Sequence, residues 1–432
     1  MQRTVRRPRS VDASITVPGN KSIGHRAAIL NAIAAGEATV RNFPDAADCA
    51  ATLRCLRDLG VDWTLRNGAL RIHGRGRHGL TESDRVLDCR NSGTTMRLLA
   101  GLLAPQPFFS TLSGDASLRS RPMDRVIGPL RRMGADVRGR AGDSRAPLAV
   151  RGRALRGIRY RLPVASAQVK SALLLAGLYA VGDTVVEESQ PTRDHTERML
   201  KAMGARVRTS RGVITLSPLT RDLRPLSLSV PGDVSAAAPW LVLAVCHPEA
   251  RVRVRNVGVN PTRTGVLDAL RLMGADVRLQ RERMAGHEPV ADIVARPSRL
   301  QGVEIAGDIV PLAIDELPLI ALAACFAKGE TVIRDAAELR VKESDRISAT
   351  ARELRRLGAD IEELPDGMRI RPVPRLVGAT VSSHGDHRLA MVLAVAGLLA
   401  SGRTVIRNAG AVAVSYPLFW RDLELISSAE GR

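Results

Sequence analysis

The stretch Leu270-Arg-Leu-Met-Gly-Ala-Asp-Val277 decides the fold, because near copies of it occur at four other places in the chain. The copies are Leu56-Arg-Asp-Leu-Gly-Val-Asp62, Leu130-Arg-Arg-Met-Gly-Ala-Asp-Val137, Leu200-Lys-Ala-Met-Gly-Ala-Arg-Val207 and Leu354-Arg-Arg-Leu-Gly-Ala-Asp-Ile361. Each glycine stands where a helix can end in a left-handed residue, and a β-branched residue then opens a strand. The stretch therefore predicts a helix-to-strand junction that recurs along the chain.

A second repeated phrase leads from an apolar helix into another strand. It reads Ala35-Gly-Glu-Ala-Thr-Val40, Val181-Gly-Asp-Thr-Val-Val186, Lys328-Gly-Glu-Thr-Val-Ile333 and Ser401-Gly-Arg-Thr-Val-Ile406. The two phrases alternate with a period of ~70 residues, longer than the ~20–50 residues of solenoid repeats. Each repeat must therefore be a subdomain with its own helices and strands. The alternation predicts an α/β or α+β fold in which helices pack on sheets.

Six apolar helices are each preceded by a short polar segment. The segments are Gly19-Asn-Lys-Ser22, Arg90-Asn-Ser-Gly93, Ala165-Ser-Ala-Gln168, Gly232-Asp-Val-Ser235, Ile314-Asp-Glu316 and Gly385-Asp-His-Arg388. A helix N-terminus carries unpaired N–H groups and a partial positive charge, so it favours an anion. If several of these helix ends converge, they form a site for a highly anionic small molecule.

The length of 432 residues makes two domains the default expectation. Val17-Pro-Gly-Asn20 and Val230-Pro-Gly-Asp233 each precede an apolar helix about half a chain apart, and Pro-Gly redirects a chain. We therefore place hinge crossings near Pro18-Gly19 and Pro231-Gly232. Residues 1–17 with 233–432 would form one domain and 18–232 the other, with a cleft that closes on its ligand.

The formal net charge of +20 suggests a nucleic-acid partner, but two features argue against one. Aromatic residues are only 3% of the chain, which leaves few platforms for stacking bases, and the arginines are scattered. No apolar run reaches the ~18 residues of a membrane span, and the basic start lacks the apolar core of a secretory signal. We expect a cytoplasmic protein that binds neither nucleic acid nor membrane.

The five cysteines form no Cys-x-x-Cys pair and have no histidine at metal-ligand spacing. Buried, reduced thiols are the expected state, and it suits a reducing compartment. We predict no metal site and no cofactor.

Candidate anion-binding groups in the first half lie near the predicted helix starts: Lys21, Ser22, Arg26, Gly93, Arg97, Arg121, Ser166, Gln168, Lys170 and Arg193. Only five of the 64 basic residues are lysines, so a lysine can mark a place that needs a compact ammonium. Gly93 lets a ligand approach the backbone closely, and Pro122 restricts the backbone of Arg121. His195 is interpreted as a capping or surface histidine.

In the second half, Lys342 and Arg346 lie four residues apart, on one face of any helix beginning there, with Glu343 beside them. A carboxylate among cations stays ionised, yet it can exchange a proton once an anionic substrate offsets those cations. A surface lattice of salt bridges is the alternative. Asp315 is either an N-cap or a general base, and Arg388 is an anion clamp that Asp386 orients.

These motifs, in this order, resemble the 5-enolpyruvylshikimate-3-phosphate (EPSP) synthase family, the 3-phosphoshikimate 1-carboxyvinyltransferases. The motifs are Pro-Gly-x-Lys-Ser-x-x-His-Arg, Asn-x-Gly-Thr, Arg-Pro-Met, Ser-Ala-Gln, Arg-Val-Lys-Glu-Ser-Asp-Arg and Gly-Asp-His-Arg. The resemblance implies a two-domain inside-out α/β barrel of six βαβαββ-type repeats, pseudo-threefold in each domain, with the active site in the interdomain cleft.

The resemblance also implies a reaction in the shikimate pathway to chorismate and aromatic amino acids. The enolpyruvyl group of phosphoenolpyruvate moves to the 5-hydroxyl of shikimate 3-phosphate, through a tetrahedral adduct, and phosphate is released. The residues implied to bind shikimate 3-phosphate are Lys21, Ser22, Arg26, Ser166, Ala167, Gln168, Arg193, Asp315 and Lys342. Those implied to bind phosphoenolpyruvate are Lys21, Gly93, Arg121, Gln168, Arg346 and Arg388, with Lys342 bridging the two substrates. The implied catalytic residues are Lys21, Asp315 as the base and Glu343 as the acid.

Three positions depart from some members of the family. Ala167 stands where some have a second Ser, Glu338 where some have Asn, and Ala413-Val-Ser-Tyr-Pro417 contains no lysine although one branch has a ligand-binding lysine there. These changes resemble the second bacterial branch. Because Gly93 is kept, we hypothesise that the herbicide glyphosate fits the site.

Two alternatives stay open. A UDP-N-acetylglucosamine enolpyruvyl transferase shares the architecture, but that family has Lys-Asn at the first motif and usually a loop Cys before Arg-Pro, where residues 114–120 contain none. A basic RNA-binding or RNA-end-processing protein could share the repeated subdomains. We expect a monomer that binds two small anionic substrates.

Overall fold

The computed structural model describes residues 1–427, and its internal contacts divide the chain into two compact units. Unit 1 comprises Met1–Pro18, Pro231–Met284 and the chain from Pro289 onward, and unit 2 comprises Gly19–Val230 and Ala285–Glu288. The chain therefore leaves unit 1 after Pro18 and re-enters it at Pro231. The short segment Ala285–Glu288 belongs with unit 2, which the sequence does not predict.

Two strands at the N-terminus, β1 (Gln2–Arg6) and β2 (Val11–Thr16), pair with strands of unit 1 that lie far along the chain. Unit 2 then follows as three repeats. The first has α1 (Lys21–Ala32), β3 (Ala35–Arg41), α2 (Ala47–Asp58), β4 (Asp62–Arg66) and β5 (Ala69–Arg75). The second has β6 (Leu87–Asp88), α3 (Gly93–Leu103), β7 (Phe109–Ser113), α4 (Ala116–Ser120), α5 (Asp124–Arg132), β8 (Asp136–Gly139), α6 (Arg140–Asp143) and β9 (Arg145–Arg151). The third has β10 (Arg159–Arg161), α7 (Ala167–Gly177), β11 (Thr184–Glu187), α8 (His195–Ala202), β12 (Val207–Ser210) and β13 (Val213–Leu216), and β14 (Leu228–Ser229) closes the unit.

The first two repeats of unit 1 follow the same order of elements, whereas the sheet of the third is completed by β1 from the N-terminus. Its first repeat has α9 (Val234–Cys246), β15 (Ala250–Gly258), α10 (Gly265–Leu272), β16 (Asp276–Ala285) and β17 (Glu288–Arg296). The second has β18 (Glu304–Ile305), α11 (Ile309–Ala313), α12 (Leu317–Ala324), β19 (Thr331–Ile333), a 3₁₀ helix (Ala337–Val341), α13 (Arg346–Arg356), β20 (Asp360–Leu364) and β21 (Gly367–Arg371). The third has β22 (Thr380–Ser382), α14 (His387–Leu399), β23 (Arg403–Arg407), a 3₁₀ helix (Ala409–Val414) and α15 (Phe419–Ser427).

The described residues form six sheets, three in each unit. The unit 2 sheets have the strand orders β14-β3-β5-β4, β6-β7-β9-β8 and β10-β11-β13-β12, and those of unit 1 are β16-β17-β15-β2, β18-β19-β21-β20 and β1-β23-β22. In each sheet of unit 2 the first pair is parallel and the other two are antiparallel. A parallel pair needs a crossover helix, whereas a hairpin closes an antiparallel pair. This βαβαββ pattern confirms the predicted mixed α/β fold.

The longest apolar helices lie inside the units and pack on one another: α3 on α7 in unit 2, and α9, α12 and α14 together in unit 1. All thirteen residues of α14 are buried. A Cβ on Gly101 of α3 would lie 2.2 Å from the Ala172 carbonyl oxygen, so glycine is what allows this close approach to α7. Such helices have no solvent-facing side, so their polar groups concentrate at the first turn.

Of the five cysteines, Cys49, Cys55, Cys89 and Cys325 are buried and Cys246 is partly exposed. All five lie in the described part of the chain and none is in a disulfide there. Among the helices within residues 1–427, none combines the length and the apolar character needed to cross a bilayer.

Candidate active site

The N-terminus of α1 presents a lysine and a serine in its first turn, as the sequence predicts. The side chain of Asn20 caps the helix by accepting from the Ile23 N–H at 3.1 Å. Lys21 Nζ lies 2.8 Å from Asp48 Oδ2, at the start of α2. Arg193 Nη1 donates to Ser22 Oγ at 3.1 Å. A cation and a hydroxyl therefore meet at one helix end.

Arg26 is one turn further along α1, and it is buried with neutral partners. Its Nε donates to Thr196 Oγ1 at 2.7 Å and its Nη2 to Ser171 Oγ at 2.7 Å. Nη2 also lies 3.3 Å from Gln168 Oε1. Burial is the main reason that the pKa of Arg26 falls to about 10. The guanidinium joins α1 to the starts of α7 and α8.

The start of α3 places Gly93 beside two guanidinium groups. A Cβ at residue 93 would lie 2.7 Å from Arg97 Nη1 and 3.4 Å from Arg121 Nη1. Arg121 Nη2 donates to Asn91 Oδ1 at 2.5 Å, just ahead of this helix. Ser92 is the N-cap and accepts from the Thr95 N–H. The absence of a Cβ at residue 93 therefore lets the two guanidinium groups pack against the start of α3.

The start of α7 is connected to that of α3 by a side-chain hydrogen bond. Ser166 is the N-cap, Ala167 is the first helical residue, and Gln168 Nε2 donates to Thr94 Oγ1 at 2.8 Å. Gln168 Oε1 faces Arg26, so the amide is bonded at both ends. The predicted binding residues of unit 2 thus form one linked group, called here the unit 2 cluster: Lys21, Ser22, Arg26, Gly93, Arg121, Ser166, Ala167, Gln168 and Arg193.

Three other polar residues of these motifs are buried within the framework. His25 Nδ1 bonds Thr52 Oγ1 at 2.7 Å, and burial lowers the pKa of His25 to about 3. Lys170 Nζ lies 3.0 Å from Glu188 and 2.6 Å from Glu197. His195 is buried and its Nδ1 is 2.7 Å from Glu288 Oε1, so its interpretation as a capping or surface residue is wrong.

In unit 1, the Arg346 guanidinium donates hydrogen bonds to three carboxylates. Its Nε donates to Asp386 Oδ2 at 2.8 Å, its Nη1 to Asp315 Oδ1 at 3.2 Å, and its Nη2 to Glu343 Oε2 at 2.6 Å. Burial alone would lower the pKa of Arg346, but the charges of Asp386, Glu343 and Asp315 outweigh it and raise that pKa. The side chain is 2% exposed. The two predicted proton-transfer residues therefore share one guanidinium.

Asp315 lies in the break between α11 and α12 and contacts two further arginines. Its Oδ2 is 3.8 Å from Arg388 Nη2 and 3.9 Å from Arg263 Nη1. The N-cap position of α12 is Glu316, whose side chain makes no capping bond. The first of the two sequence interpretations, that Asp315 caps the helix, is therefore wrong. Its carboxylate points instead into a group of cations.

Arg388 lies in the first turn of α14, where the side chain of Asp386 caps the helix by accepting from the Arg388 N–H at 2.8 Å. Its Nη1 is 3.6 Å from Glu316 Oε1. Burial by itself would raise the pKa of Asp386, but Arg346 overcomes that effect and lowers it. Asp386 thus holds the Arg346 guanidinium and caps the helix that carries Arg388, while it stays ionised.

The segment before α13 differs from the prediction in one respect. Asp345 caps the helix, so α13 begins at Arg346 and Lys342 lies before it. The expectation that Lys342 and Arg346 share a helix face is therefore wrong. Lys342 Nζ is 3.5 Å from Glu338 Oε1 instead. The unit 1 cluster, as named from here on, consists of Asp315, Lys342, Glu343, Arg346 and Arg388.

Several residues that build the two clusters were missed by sequence reasoning. Asp48 pairs with Lys21, and Thr94 accepts a hydrogen bond from Gln168. Arg263 lies within ion-pair distance of Asp315 and of Glu316. A signal existed for two of them. Asn260-Pro-Thr-Arg263-Thr264 is a polar run directly before an apolar helix, and Glu316 follows Asp315 in the motif already quoted.

The chemistry of the two clusters differs. The unit 2 cluster offers arginine, lysine, hydroxyl and amide donors near helix N-termini, which suits phosphate and carboxylate groups. The unit 1 cluster adds two carboxylates next to cations, which suits proton transfer to and from an anionic substrate. Within residues 1–427, no group of three or more His, Cys, Asp and Glu side chains is arranged to hold a metal ion.

Two solved structures indicate the class of protein. The enolpyruvyl transferase NikO from Streptomyces tendae is 20% identical with a TM-score of 0.79, and the match covers 98% of this chain and 96% of NikO. An EPSP synthase from Acinetobacter baumannii is 44% identical with a TM-score of 0.87, and 98% of each chain is covered. The chain therefore has a fold that enolpyruvyl transferases share.

The sequence comparisons narrow this class. The family model for EPSP synthase (3-phosphoshikimate 1-carboxyvinyltransferase) matches residues 5–423. The 3-phosphoshikimate 1-carboxyvinyltransferase of Desulforudis audaxviator is 56% identical over 93% of this chain and 94% of its own length. That of Chloroflexus aggregans is 54% identical over 98% of both. The chain belongs to the EPSP synthase family and is an enzyme, which confirms the resemblance; the UDP-N-acetylglucosamine alternative is not favoured.

Proposed function

We propose that the unit 2 and unit 1 clusters supply the binding and proton-transfer groups of one active site in the predicted interdomain cleft. As a member of its family, the enzyme transfers the enolpyruvyl group of phosphoenolpyruvate to the 5-hydroxyl of shikimate 3-phosphate and releases phosphate. This reaction belongs to the shikimate pathway of aromatic amino acid biosynthesis. It brings two multiply charged anions together, so cations and helix N-termini must offset their repulsion.

Shikimate 3-phosphate binds mainly to the unit 2 cluster. Its phosphate takes hydrogen bonds from the Ser22 hydroxyl, which Arg193 already contacts at 3.1 Å, and from the start of α7 at Ser166, Ala167 and Gln168. Arg26 uses its Nε and Nη2 donors on protein oxygens, so it orients Gln168 and adds positive charge. Lys342 and Asp315 hold the hydroxyl side of the ring.

Phosphoenolpyruvate binds to arginines from both clusters. Gly93 lets Arg97 and Arg121 lie against the backbone at the start of α3, and guanidinium groups suit a compact carboxylate or phosphate group. Arg346 and Arg388 face the other anionic end of phosphoenolpyruvate. Lys21 and Gln168 contact both phosphoenolpyruvate and shikimate 3-phosphate. Buried Arg388 Nε makes no hydrogen bond to the described residues, which supports an anionic partner there.

Asp315 acts as the base for the 5-hydroxyl proton, and Glu343 protonates the methylene carbon of phosphoenolpyruvate. Protonation of that carbon and attack of the oxygen at the neighbouring carbon give the tetrahedral adduct. Elimination of phosphate with loss of a methyl proton then restores the double bond. Both carboxylates contact Arg346, and an anion that engages this arginine weakens its hold on them and makes each more basic.

A single observation carries this assignment. Arg346 binds Asp315 at 3.2 Å and Glu343 at 2.6 Å, so both proton-transfer groups contact one guanidinium. A surface lattice of salt bridges would be exposed, whereas Arg346 is 2% exposed. Charged groups held in this way at a polar helix start are expected to serve chemistry.

The test is phosphate release measured with each substrate alone and with both. Release should require both phosphoenolpyruvate and shikimate 3-phosphate. Shikimate 3-phosphate should also raise the melting temperature, whereas UDP-N-acetylglucosamine and an oligonucleotide should leave it unchanged. Release without shikimate 3-phosphate, or stabilisation by the UDP-sugar, would contradict the proposal.

Two further expectations belong to the same proposal. Glyphosate, a small anion, should compete with phosphoenolpyruvate because a glycine at residue 93 adds no side chain next to Arg97 and Arg121. An inhibition constant in the millimolar range would remove that part of the proposal. The protein should elute as a monomer in size-exclusion chromatography. We also expect it to be located in the cytoplasm.

A further inference from the structure

Four side chains of unit 1 form a closed ring of alternating charge. Asp315 Oδ2 lies 3.8 Å from Arg388 Nη2 and 3.9 Å from Arg263 Nη1. Glu316 Oε1 lies 3.6 Å from Arg388 Nη1 and 3.7 Å from Arg263 Nη2. Each arginine thus touches both carboxylates, and each carboxylate touches both arginines.

The ring has an outer and an inner pair. Asp315 and Arg388 are 16% and 10% exposed, whereas Arg263 is 3% exposed and Glu316 is fully buried. A ligand can therefore reach the outer pair and not the inner pair. The inner pair can influence a reaction only through its neighbours.

Ser235, at the start of α9, bonds both inner members. Its hydroxyl donates to Glu316 Oε1, and Arg263 Nη2 donates to the same hydroxyl at 2.5 Å. Buried Glu316 Oε2, Arg263 Nε and Arg263 Nη1 make no hydrogen bond to the described residues. A buried ion pair that is incompletely bonded adds little to stability compared with apolar residues of similar size. The ring is therefore better explained by what it does to Asp315 and Arg388.

We propose that Glu316 and Arg263 are positioning residues for the transfer: they hold Arg388 and Asp315 in their reactive arrangement, and Glu316 keeps Asp315 a sufficiently strong base. This inference rests on the proposed roles of Asp315 and Arg388. Neither inner residue touches a substrate or a reacting atom.

The direction of the electrostatic effect follows from the groups around Asp315. The charged groups that face the ring from the elements packed against it are Arg263, Arg346 and Arg388 as cations, and Asp233, Glu316, Glu343 and Asp386 as anions. Burial raises the pKa of Glu316, but Arg263 and Arg388 oppose that rise and favour its charged form. Three arginines next to one carboxylate make it a weak base, and the adjacent charge of Glu316 restores basicity. Replacement of Glu316 by a neutral residue therefore makes Asp315 easier to ionise and less basic.

The test compares Glu316→Gln with two other variants of the intact enzyme. Glu316→Gln keeps the side-chain shape and removes the charge. It should lower kcat/KM by ~10–100-fold, as misplacement of catalytic groups does, and move the acidic limb of the kcat/KM pH profile to lower pH. Glu316→Asp keeps the charge and should return that limb to the wild-type pH. Asp292→Asn removes a buried carboxylate of the same unit that pairs with Arg253, and it should leave the profile unchanged.

The outcomes separate this inference from the proposed function. If Asp315→Asn loses activity but Glu316→Gln keeps the wild-type kcat/KM and acidic limb, the positioning role is wrong while the proposed function stands. If Asp315→Asn is fully active, the proposed role of Asp315 as the base fails, and the positioning role that depends on it fails with it. Should Glu316→Gln not fold, Ser235→Ala serves instead, because it keeps every charge. It should raise the KM for phosphoenolpyruvate without moving the acidic limb, and an unchanged KM would overturn the role of the ring.

Discussion

Two buried arginines, one in each unit, have different hydrogen-bond partners and pKa values shifted in opposite directions. Arg26 of unit 2 binds the neutral oxygens of Thr196, Ser171 and Gln168, and burial lowers its pKa to about 10. Arg346 of unit 1 binds three carboxylates, which raise its pKa despite equal burial. The hydrogen-bond partners of Arg26 carry no charge, and the nearby carboxylates Glu197, Glu288 and Asp194 offset the effect of burial only in part. The carboxylates bonded to Arg346 more than offset it.

The difference indicates that unit 2 mainly binds substrate and unit 1 mainly supplies the proton-transfer groups. A guanidinium whose hydrogen-bond partners are neutral keeps a positive potential that attracts an anion, and Arg26 of the unit 2 cluster is held in this way. A guanidinium with carboxylate partners positions those carboxylates, and the unit 1 cluster is built in that way. Loss of a unit 2 group should therefore weaken binding, while loss of a unit 1 carboxylate should slow the chemical step.

The largest expected effect comes from the unit 1 carboxylates. Asp315→Asn and Glu343→Gln should each lower kcat by ~10²–10⁴-fold, because each removes a group that transfers a proton in the reaction. Steady-state phosphate release gives this value. Arg193→Met in unit 2 should instead raise the KM for shikimate 3-phosphate and change kcat by less than ~10-fold, since it removes a binding contact.

Asp308→Asn is the matched control, because Asp308 is an exposed carboxylate seven residues before Asp315. It should retain wild-type kcat. Near-normal turnover in Asp315→Asn or Glu343→Gln would remove that residue from the mechanism. A drop in kcat rather than a rise in KM for Arg193→Met would break the division between the units.

The repeats could be predicted from sequence because their signals are local. A glycine that ends a helix and an apolar run that cannot face water are both readable without knowing the fold. The helix starts at Lys21, Gly93 and Ala167 also follow from local capping residues. Most of the candidate site could therefore be named before the structure.

The pairings between distant residues could not be predicted. Arg263 meets Glu316 and Asp315 only because the starts of several helices lie together, and no local pattern encodes that. His195 is buried because Glu288, far away in sequence, covers it. Lys342 and Arg346 were expected on one face of a helix, but Asp345 caps that helix and leaves Lys342 before its start.

The second prediction compares the two buried arginines directly. Arg346→Met should lower the free energy of unfolding by about 3–5 kcal/mol, because it leaves buried carboxylates without their cation. Arg26→Met leaves only neutral oxygens unpaired and should cost about 1–3 kcal/mol. Urea titration at pH 7.5 measures both values. Equal losses would show that the partners' charge is irrelevant.

The stability losses of the two arginine variants should depend differently on pH. In Arg346→Met the unpaired carboxylates, Asp386 above all, should bind protons at higher pH than in the wild type. The wild-type Asp386 has a lowered pKa, so its contribution is present at neutral pH and is lost only as the pH falls through that lowered value. The deficit of Arg346→Met should therefore shrink between pH 7 and pH 5. That of Arg26→Met should stay constant.

The third prediction concerns the framework of unit 2. Burial lowers the pKa of His25 to about 3, below the 6.5 of an ordinary histidine, so the unfolded chain binds a proton that the folded chain does not. Stability should then fall by about 1.4 kcal/mol per pH unit as the pH drops below 6.5. His25→Gln should lack this slope in urea titrations, while His73→Gln, which removes an exposed imidazole, should keep it. A wild-type slope in His25→Gln would contradict the assignment.

The smallest effect is expected at Gly93, where the unit 2 cluster has no side chain beside its arginines. A Cβ on Gly93 would lie 2.7 Å from Arg97 Nη1 and 3.4 Å from Arg121 Nη1, so Gly93→Ala must displace a flexible guanidinium rather than backbone. The change should raise the KM for phosphoenolpyruvate by ~3–30-fold, equivalent to about 0.6–2 kcal/mol, with kcat nearly unchanged. Gly128→Ala is the control, since a Cβ there meets nothing within 4 Å. If Gly93→Ala lowered kcat as strongly as Asp315→Asn does, the arginines of unit 2 would act on the chemical step, and the contrast between binding in unit 2 and proton transfer in unit 1 would be lost.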